Sequence, residues 1–215
     1  MIKESTVWAN RVAHVSQRMR TFAGENKPSS MKPIIIRPAT QADAEAVQRI
    51  YAPYVEETAI SFEYDAPSVG EMARRIRETQ EKYPWIVAEE DGKVVGYAYA
   101  HIFHGRAAYQ WSVETSIYVD RHEKRKGIGS ILHDALEQAL KAQGILNMNA
   151  AIAYIDPEDE YLTQDSVRFH ERMGYKTVAH FHQCGRKFNR WYDMIWMEKI
   201  IGEHTSHLSA HTSEE

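Results

Sequence analysis

Two glycines at i and i+2, Gly127 and Gly129, follow a turn in which Arg121, Lys124, Arg125 and Lys126 stand against one acid, Glu123. A β-rich run, Ile117, Tyr118 and Val119, precedes this turn, and an amphipathic helical pattern begins directly after it. Glycines at such a junction let backbone N–H groups approach a ligand where a Cβ would intrude. The new helix points its own unpaired N–H groups the same way. The chemistry this suits is phosphate binding. Neither the P-loop nor the dinucleotide fingerprint is present, and these residues alone also allow a tight strand-to-helix turn with no ligand. Upstream in the same strand, Glu114 sits among Val113, Thr115 and Ile117. A carboxylate in such a run is costly to bury without a role, which makes Glu114 a candidate proton acceptor; the plainer alternative is a strand carboxylate paired with an arginine.

The elements that must hold these groups are legible in chain order. Residues 1–31 have no apolar signal core, and their E-N-K-P-S-S stretch is linker-like, so they form an extension, with Met31 as the expected translation start. A first strand follows from Lys32, and Thr40 with Asp43 marks a helix N-terminus with Val47, Ile50, Tyr51, Tyr54 and Val55 as its buried stripe. Ser68 and Glu71 open a second helix whose charged face, Arg74, Arg75, Arg77 and Glu78, reads as solvent-facing. Residues 85–90 and 93–103 are two strands joined by an Asp-Gly turn; Tyr97, Tyr99, His101 and Phe103 share one face of the second and read as packing. A long helix over 128–142 and a strand over 147–155 then require a parallel strand pair with a right-handed crossover. A short helix over 163–173 leads to an antiparallel hairpin, 177–182 with 191–199, around the connection C-G-R-K-F-N-R. The polar segment 202–215 reads as a disordered tail.

Composition narrows the classes. With 215 residues and 43% hydrophobic content, one domain of ordinary size is the default. Basic residues number 26 and acidic 30, giving a net charge of −4, so neither nucleic acid nor an anionic membrane is favoured as partner. The single cysteine, Cys184, excludes an intramolecular disulfide framework and fits a reducing compartment. No run approaches the roughly 18 apolar residues of a membrane span, and a cytoplasmic protein is expected.

The segment K-R-K-G-I-G, starting at Lys124, resembles the acetyl-CoA pyrophosphate loop of the GCN5-related N-acetyltransferases (GNAT), with Lys124 where that loop carries Arg or Gln. The strand W-S-V-E-T-S-I-Y-V is similar to that of the phosphinothricin and methionine sulfone/sulfoximine N-acetyltransferases in that superfamily; further matches spread from about Ile36 to Met197. The resemblance implies one GNAT domain over 32–201, an α/β fold with a mixed central sheet and a strand–pyrophosphate loop–helix core, acetyl-CoA as co-substrate, and a homodimer. It implies that Ile117, Tyr118 and Val119 meet the pantetheine arm, and that Lys124, Arg125, Lys126, Gly127, Ile128, Gly129 and Ser130 hold the pyrophosphate. Thr163 and Ser166 would contact the cofactor as well, Thr163 departing from the family's usual Asn. Phe62 and Glu63, Arg106 and Tyr109, and Trp191 match acceptor-site positions; a guanidinium such as that of Arg106 suits a bidentate grip on a carboxylate. The plain readings are a core plug for Phe62, a solvated charge for Glu63 and an ordinary surface arginine for Arg106.

Catalytic roles are implied for two residues. Glu114 matches the glutamate thought to take the amine's proton through water, and His170, in F-H-E-R-M-G-Y, falls where many relatives carry the tyrosine that protonates the leaving thiolate. An imidazole titrates near neutral pH and suits that task; a histidine stacking on the core is the alternative. Direct attack by the amine requires no covalent enzyme intermediate, so the lack of a nucleophilic Ser or Cys motif is no objection. The resulting reading is transfer of acetyl from acetyl-CoA to the α-amino group of a small amino acid or analogue: phosphinothricin, methionine sulfoximine or methionine sulfone. The alternatives are another primary amine, or a non-catalytic acyl-CoA-binding module. His180 and His182 share a strand face, and His204, His207 and His211 lie in the tail, but no Cys or carboxylate stands at a recognised ligand spacing and no metal is expected.

Overall fold

Alternating apolar positions and short turns organise residues 33–123 and 126–205, the part described by a computed structural model, into one sheet of seven strands with helices on both faces. The helices are α1 (Ala44–Glu56), α2 (Val69–Gln80), α3 (Ile128–Ala142) and α4 (Asp165–Arg172). The strands are β1 (Ile34–Pro38), β2 (Trp85–Glu90), β3 (Lys93–Ile102), β4 (Ser112–Val119), β5 (Asn147–Tyr154), β6 (Lys176–Lys187) and β7 (Arg190–Ile200), ordered β1-β2-β3-β4-β5-β7-β6. Neighbours are antiparallel except β4 and β5, which the α3 connection makes parallel. The mixed α/β sheet is the expected one. Among the described residues, no helix is long and apolar enough to cross a membrane.

Each face is covered by the stripe that helical spacing predicts. From α3, Ile128, Leu132, Ala135, Leu136, Ala139 and Leu140 pack with Ala98, Ala100, Val113, Met148 and Ala150 of the sheet, and Val167 of α4 joins them. Leu136 is wholly buried, which stabilises the fold by about 1.5–3 kcal/mol. Its replacement by Ala costs about 2–5 kcal/mol, because the cavity cannot fully collapse. On the other face Val47, Ile50, Tyr51 and Val55 of α1, with Met72 and Ile76 of α2, cover Trp85, Val87 and Tyr97. A 3-10 turn, Gln41–Asp43, opens α1, where Asp43 Oδ2 accepts from the Thr40 N–H at 2.7 Å; the Ser68 hydroxyl caps α2 by accepting from Glu71 N at 3.1 Å.

The last hairpin departs from the expected pattern. Its strands run to Lys187 and from Arg190, so the turn is only Phe188 and Asn189, both at positive φ, and most of the expected connection is strand. The cause is a bulge: the β6–β7 register slips between Phe181 and Gly185, with Gln183 at φ 48°. An unpaired residue breaks the period-two pattern by which a strand is recognised. The longer β6 carries Lys187 inward, where its ammonium donates to the carbonyls of Val55 (2.6 Å) and Ser61 (2.7 Å), and burial pushes its pKa down. Residues 1–32, Lys124 and Arg125, and the tail beyond 205 lie outside the described residues. Within 202–205, His204 Nε2 lies 2.8 Å from Asn147 Oδ1.

Candidate active site

The sheet comes apart at one place. β4 and β5 pair only across Ser112–Glu114 and Asn147–Asn149. Side chains fix the vertex: Asn149 Nδ2 donates to the Val113 carbonyl and Thr115 Oγ1 to the Asn149 carbonyl, both at 3.1 Å. Beyond it lies a cavity of about 60 Å³ lined by Thr115, Ile117, Ala150, Ala151, Ser166 and His170 among others. The Asp120 N–H donates to Val95 of β3. Alternate residues of an antiparallel strand bond the same neighbour, so Ile117 and Val119 turn their amide edges towards the split. An extended ligand with amides of its own can dock there as an added strand. The Val119 carbonyl also accepts from Tyr54 Oη at 2.6 Å. The Tyr118 side chain turns away, into a cluster with Tyr51, Tyr54 and Tyr97.

At the end of β4 the chain enters the glycine loop. Buried Asp120 anchors the turn, accepting from Arg49 at 2.7 Å and from the His122 N–H at 3.1 Å. Gly127 caps α3 at φ 74°, a left-handed conformation in which a side chain is strained. Gly129 lies so close to α4 that a Cβ would come within 3.3 Å of the Phe169 ring. The start of α3 and the split thus adjoin, with N–H groups free to meet an anion. Lys126 is paired with Glu90 and Glu123, each at 2.7 Å; the Glu123 bond first, then Glu90, holds its pKa above the ordinary lysine range. Ile128 is core, Ser130 is half-buried, and Thr163 is exposed with its hydroxyl on Asp165 at 3.1 Å.

Alternation puts Val113, Thr115 and Ile117 towards α3 and leaves Glu114 on the opposite face, beside α1 and α2. There His101, its partner in the β3 register, approaches with Nε2 3.6 Å from Glu114 Oε1. His101 ends an aromatic row: Tyr99 lies 5.9 Å from it between ring centroids, and Trp85 stacks on Tyr99 at 4.2 Å. These residues, with Tyr51, Tyr97, Met72 and Arg75, line a cavity of about 200 Å³. The indole N–H of Trp85 is buried and has no partner among the described residues. Arg75 binds Glu63 at 2.8 and 3.2 Å and Glu71 at 2.8 Å, so this arginine of the charged α2 face points to the site instead of solvent. Burial opposes ionisation of Glu63, but hydrogen bonds from Arg75 and Tyr51 hold its carboxyl below the usual range.

The remaining acceptor positions divide. Phe62 is half-buried, packed on Tyr192 and against Gly185. Arg106 is exposed at the start of a 3-10 turn, Tyr109 packs on Phe103 and His104, and Trp191 is 56% exposed on β7. Reading residue types along the chain missed His101, Arg75 and Trp85. A histidine within a period-two row of aromatics was their one local signal.

His170 projects from α4 into the wall of the split and is only 8% exposed. Its Nδ1 lies 2.7 Å from the Ser166 carbonyl, which can only accept, so Nδ1 carries a proton. Burial pushes its pKa down to about 4, against the raising effect of that hydrogen bond. The imidazole is therefore neutral near pH 7, with Nε2 an acceptor.

A glycine loop, a strand edge opened by splitting, and a carboxylate at the vertex would suit a ligand with phosphates, an amide-bearing arm and a reactive end. Residues 36–196 match the family model described as an acetyltransferase (GNAT) domain. The chain belongs to this family. Acetyl-CoA is its co-substrate, and the protein is an N-acetyltransferase. A phosphinothricin N-acetyltransferase of Streptomyces viridochromogenes is 37% identical over 168 residues, which cover 78% of this chain and 88% of that protein. The L-methionine sulfoximine/L-methionine sulfone acetyltransferase of Salmonella typhimurium is 31% identical, covering 80% of this chain and 96% of its own. Among solved structures, a GNAT superfamily phosphinothricin acetyltransferase from Sinorhizobium meliloti, in complex with acetyl-CoA, superimposes with a TM-score of 0.75 at 32% identity, over 83% of this chain and 94% of that one.

Proposed function

We propose that this acetyltransferase acts on the α-amino group of a small amino acid or analogue, with phosphinothricin, methionine sulfoximine and methionine sulfone as the acceptors to test. The observation that carries the reading is Glu114 at the vertex of the split, with the 200 Å³ cavity reached past His101. That cavity suits a molecule of amino-acid size, and Arg75 and the Trp85 N–H offer donors to its oxygens.

The amine attacks the thioester carbonyl directly; its N–C bond forms as the C–S bond breaks. Glu114 receives the amine's proton through a water, because a carboxylate alone is far less basic than an amine. The edge of β4 at Ile117 and Val119 holds the arm, and the loop from Lys124 to Ser130 holds the pyrophosphate. Thr163 and Ser166 flank the arm on the α4 side. His170 is reassigned from acid to wall: a neutral imidazole whose N–H is committed to Ser166 positions the arm, and the thiol's ordinary pKa of about 8.5 lets sulfur leave as thiolate. Phe62 shapes the acceptor side from behind, while Glu63 aims Arg75, and Arg106, Tyr109 and Trp191 form the rim.

The catalytic unit is taken as 32–201, working in the cytoplasm, where acetyl-CoA is available. Val178, Phe181 and Trp191 expose apolar surface on the β6–β7 hairpin, which supports a homodimer. The test is release of free CoA from acetyl-CoA with a panel of amines, for wild type and Glu114→Gln. Turnover that needs an amino-acid acceptor and collapses in the variant supports the reading; turnover only with polyamines, or none with any amine, removes it.

A further inference from the structure

His180 and His182 stand at i and i+2 on β6, so both imidazoles project from one face of the strand. The antiparallel partner supplies what their own stretch lacks. Asp193 of β7 brings Oδ2 to 2.7 Å from His180 Nε2 and 3.3 Å from His182 Nδ1, and three donor atoms, one from each residue, lie within 4.8 Å of one another.

The bulge in β6 makes this possible. Because Gln183 adopts a positive φ, its N–H turns to Asp193 and donates to Oδ1 at 2.7 Å. One carboxylate oxygen is thereby held by backbone while the other faces the imidazoles, the arrangement that orients a metal-binding carboxylate from behind. The His180 ring is set by its edge-on contact with Tyr154, at 5.3 Å between centroids. Access is open: the His182 side chain is 75% exposed and that of His180 37%. Ile195 and Met197, two and four residues beyond Asp193 on β7, belong to the core under α3, so the cluster shares that face of the sheet and lies on the side opposite Glu114.

We propose that His180, His182 and Asp193 bind one divalent transition-metal ion of the Zn²⁺ class, with the coordination completed by solvent. Two imidazole nitrogens and one carboxylate oxygen suit Zn²⁺, Ni²⁺ or Cu²⁺ far better than Mg²⁺ or Ca²⁺, which prefer oxygen-only shells. Donors around a tetrahedral ion with bonds of about 2.0–2.1 Å stand roughly 3.3 Å apart. The observed separations reach that geometry by small rotations of exposed side chains. The bound ion would tie the bulge of β6 to β7, outside the acetyl-transfer machinery.

The test is calorimetric titration of Zn²⁺, and in parallel Mg²⁺, into the untagged full-length protein near neutral pH, with wild type, His182→Ala, Asp193→Asn, and a His207→Ala/His211→Ala double variant of the tail. Expected are one Zn²⁺ per chain, no Mg²⁺ binding, affinity weakened by about tenfold or more in His182→Ala and Asp193→Asn, and no change in the tail variant. Zinc-dependent shifts of the His180 and His182 ring nitrogens in wild type locate the ion without any substitution. Absence of Zn²⁺ binding, ring signals that do not move, affinity that survives His182→Ala, or affinity lost in the tail variant overturns the proposal.

Discussion

The two sides of the split between β4 and β5 are built by different means. On the α3 side the groups offered to a ligand are mostly backbone: the amide edges of Ile117 and Val119, and the helix start at Gly127 and Gly129. On the other side they are side chains gathered from five separate segments: Glu63, Arg75, Trp85, His101 and Glu114. A backbone site depends on conformation and tolerates variation in side chains. A side-chain site depends on which residue stands where, so substrate preference can change on that face without disturbing the cofactor.

The largest effect that tests this division is at Glu114. Glu114→Gln should lower kcat by about 10²–10⁴-fold while leaving acetyl-CoA affinity and Tm near wild type. A matching loss of acetyl-CoA binding by calorimetry would mean that the two sides are not separable.

Next is His170. With a folded-state pKa of about 4 against an ordinary value of 6.5, the unfolded chain binds the proton first as pH falls. Stability from this residue is then complete above about pH 6.5 and is lost progressively towards pH 4, by about 3 kcal/mol in all. Denaturant midpoints for wild type and His170→Gln between pH 7 and 5 should converge as pH drops; parallel curves would place the proton elsewhere.

Smaller again is Gly129→Val. The new side chain meets Phe169 and should cost about 1–3 kcal/mol of stability. It should raise KM for acetyl-CoA while leaving KM for the acceptor unchanged, and equal changes in both would blur the comparison. Smallest is Trp85→Phe, which removes the N–H together with one ring of the buried indole: through the lost N–H, acceptor KM should rise by the worth of a hydrogen bond, about 0.5–1.5 kcal/mol, with no change for acetyl-CoA. An unchanged acceptor KM would remove Trp85 from the site.

How much could be read in advance follows the same division. The strand, the glycine loop and α3 are contiguous in sequence, so the anion-binding junction, the parallel crossover and the buried stripe of α3 were all legible locally. Glu114 was legible because a carboxylate in an apolar strand is anomalous wherever it occurs. Arg75 was not, since a charge on an amphipathic helix looks solvent-facing until Glu63 is seen beside it. His170 was legible as a position but not as a protonation state, because burial, which no motif encodes, sets its pKa.

The β6–β7 hairpin shows the same limit, with its bulge at Gln183 hidden by broken alternation and Asp193 brought to His180 and His182 only by strand pairing. The sequence by itself determined the elements, their order, the glycine loop and the family, because these rest on periodicity and on neighbours along the chain. Only the tertiary structure decided which face Glu114 looks onto, what surrounds it, and where two histidines meet a carboxylate. Those depend on contacts between residues far apart in the chain, and on the water that packing excludes.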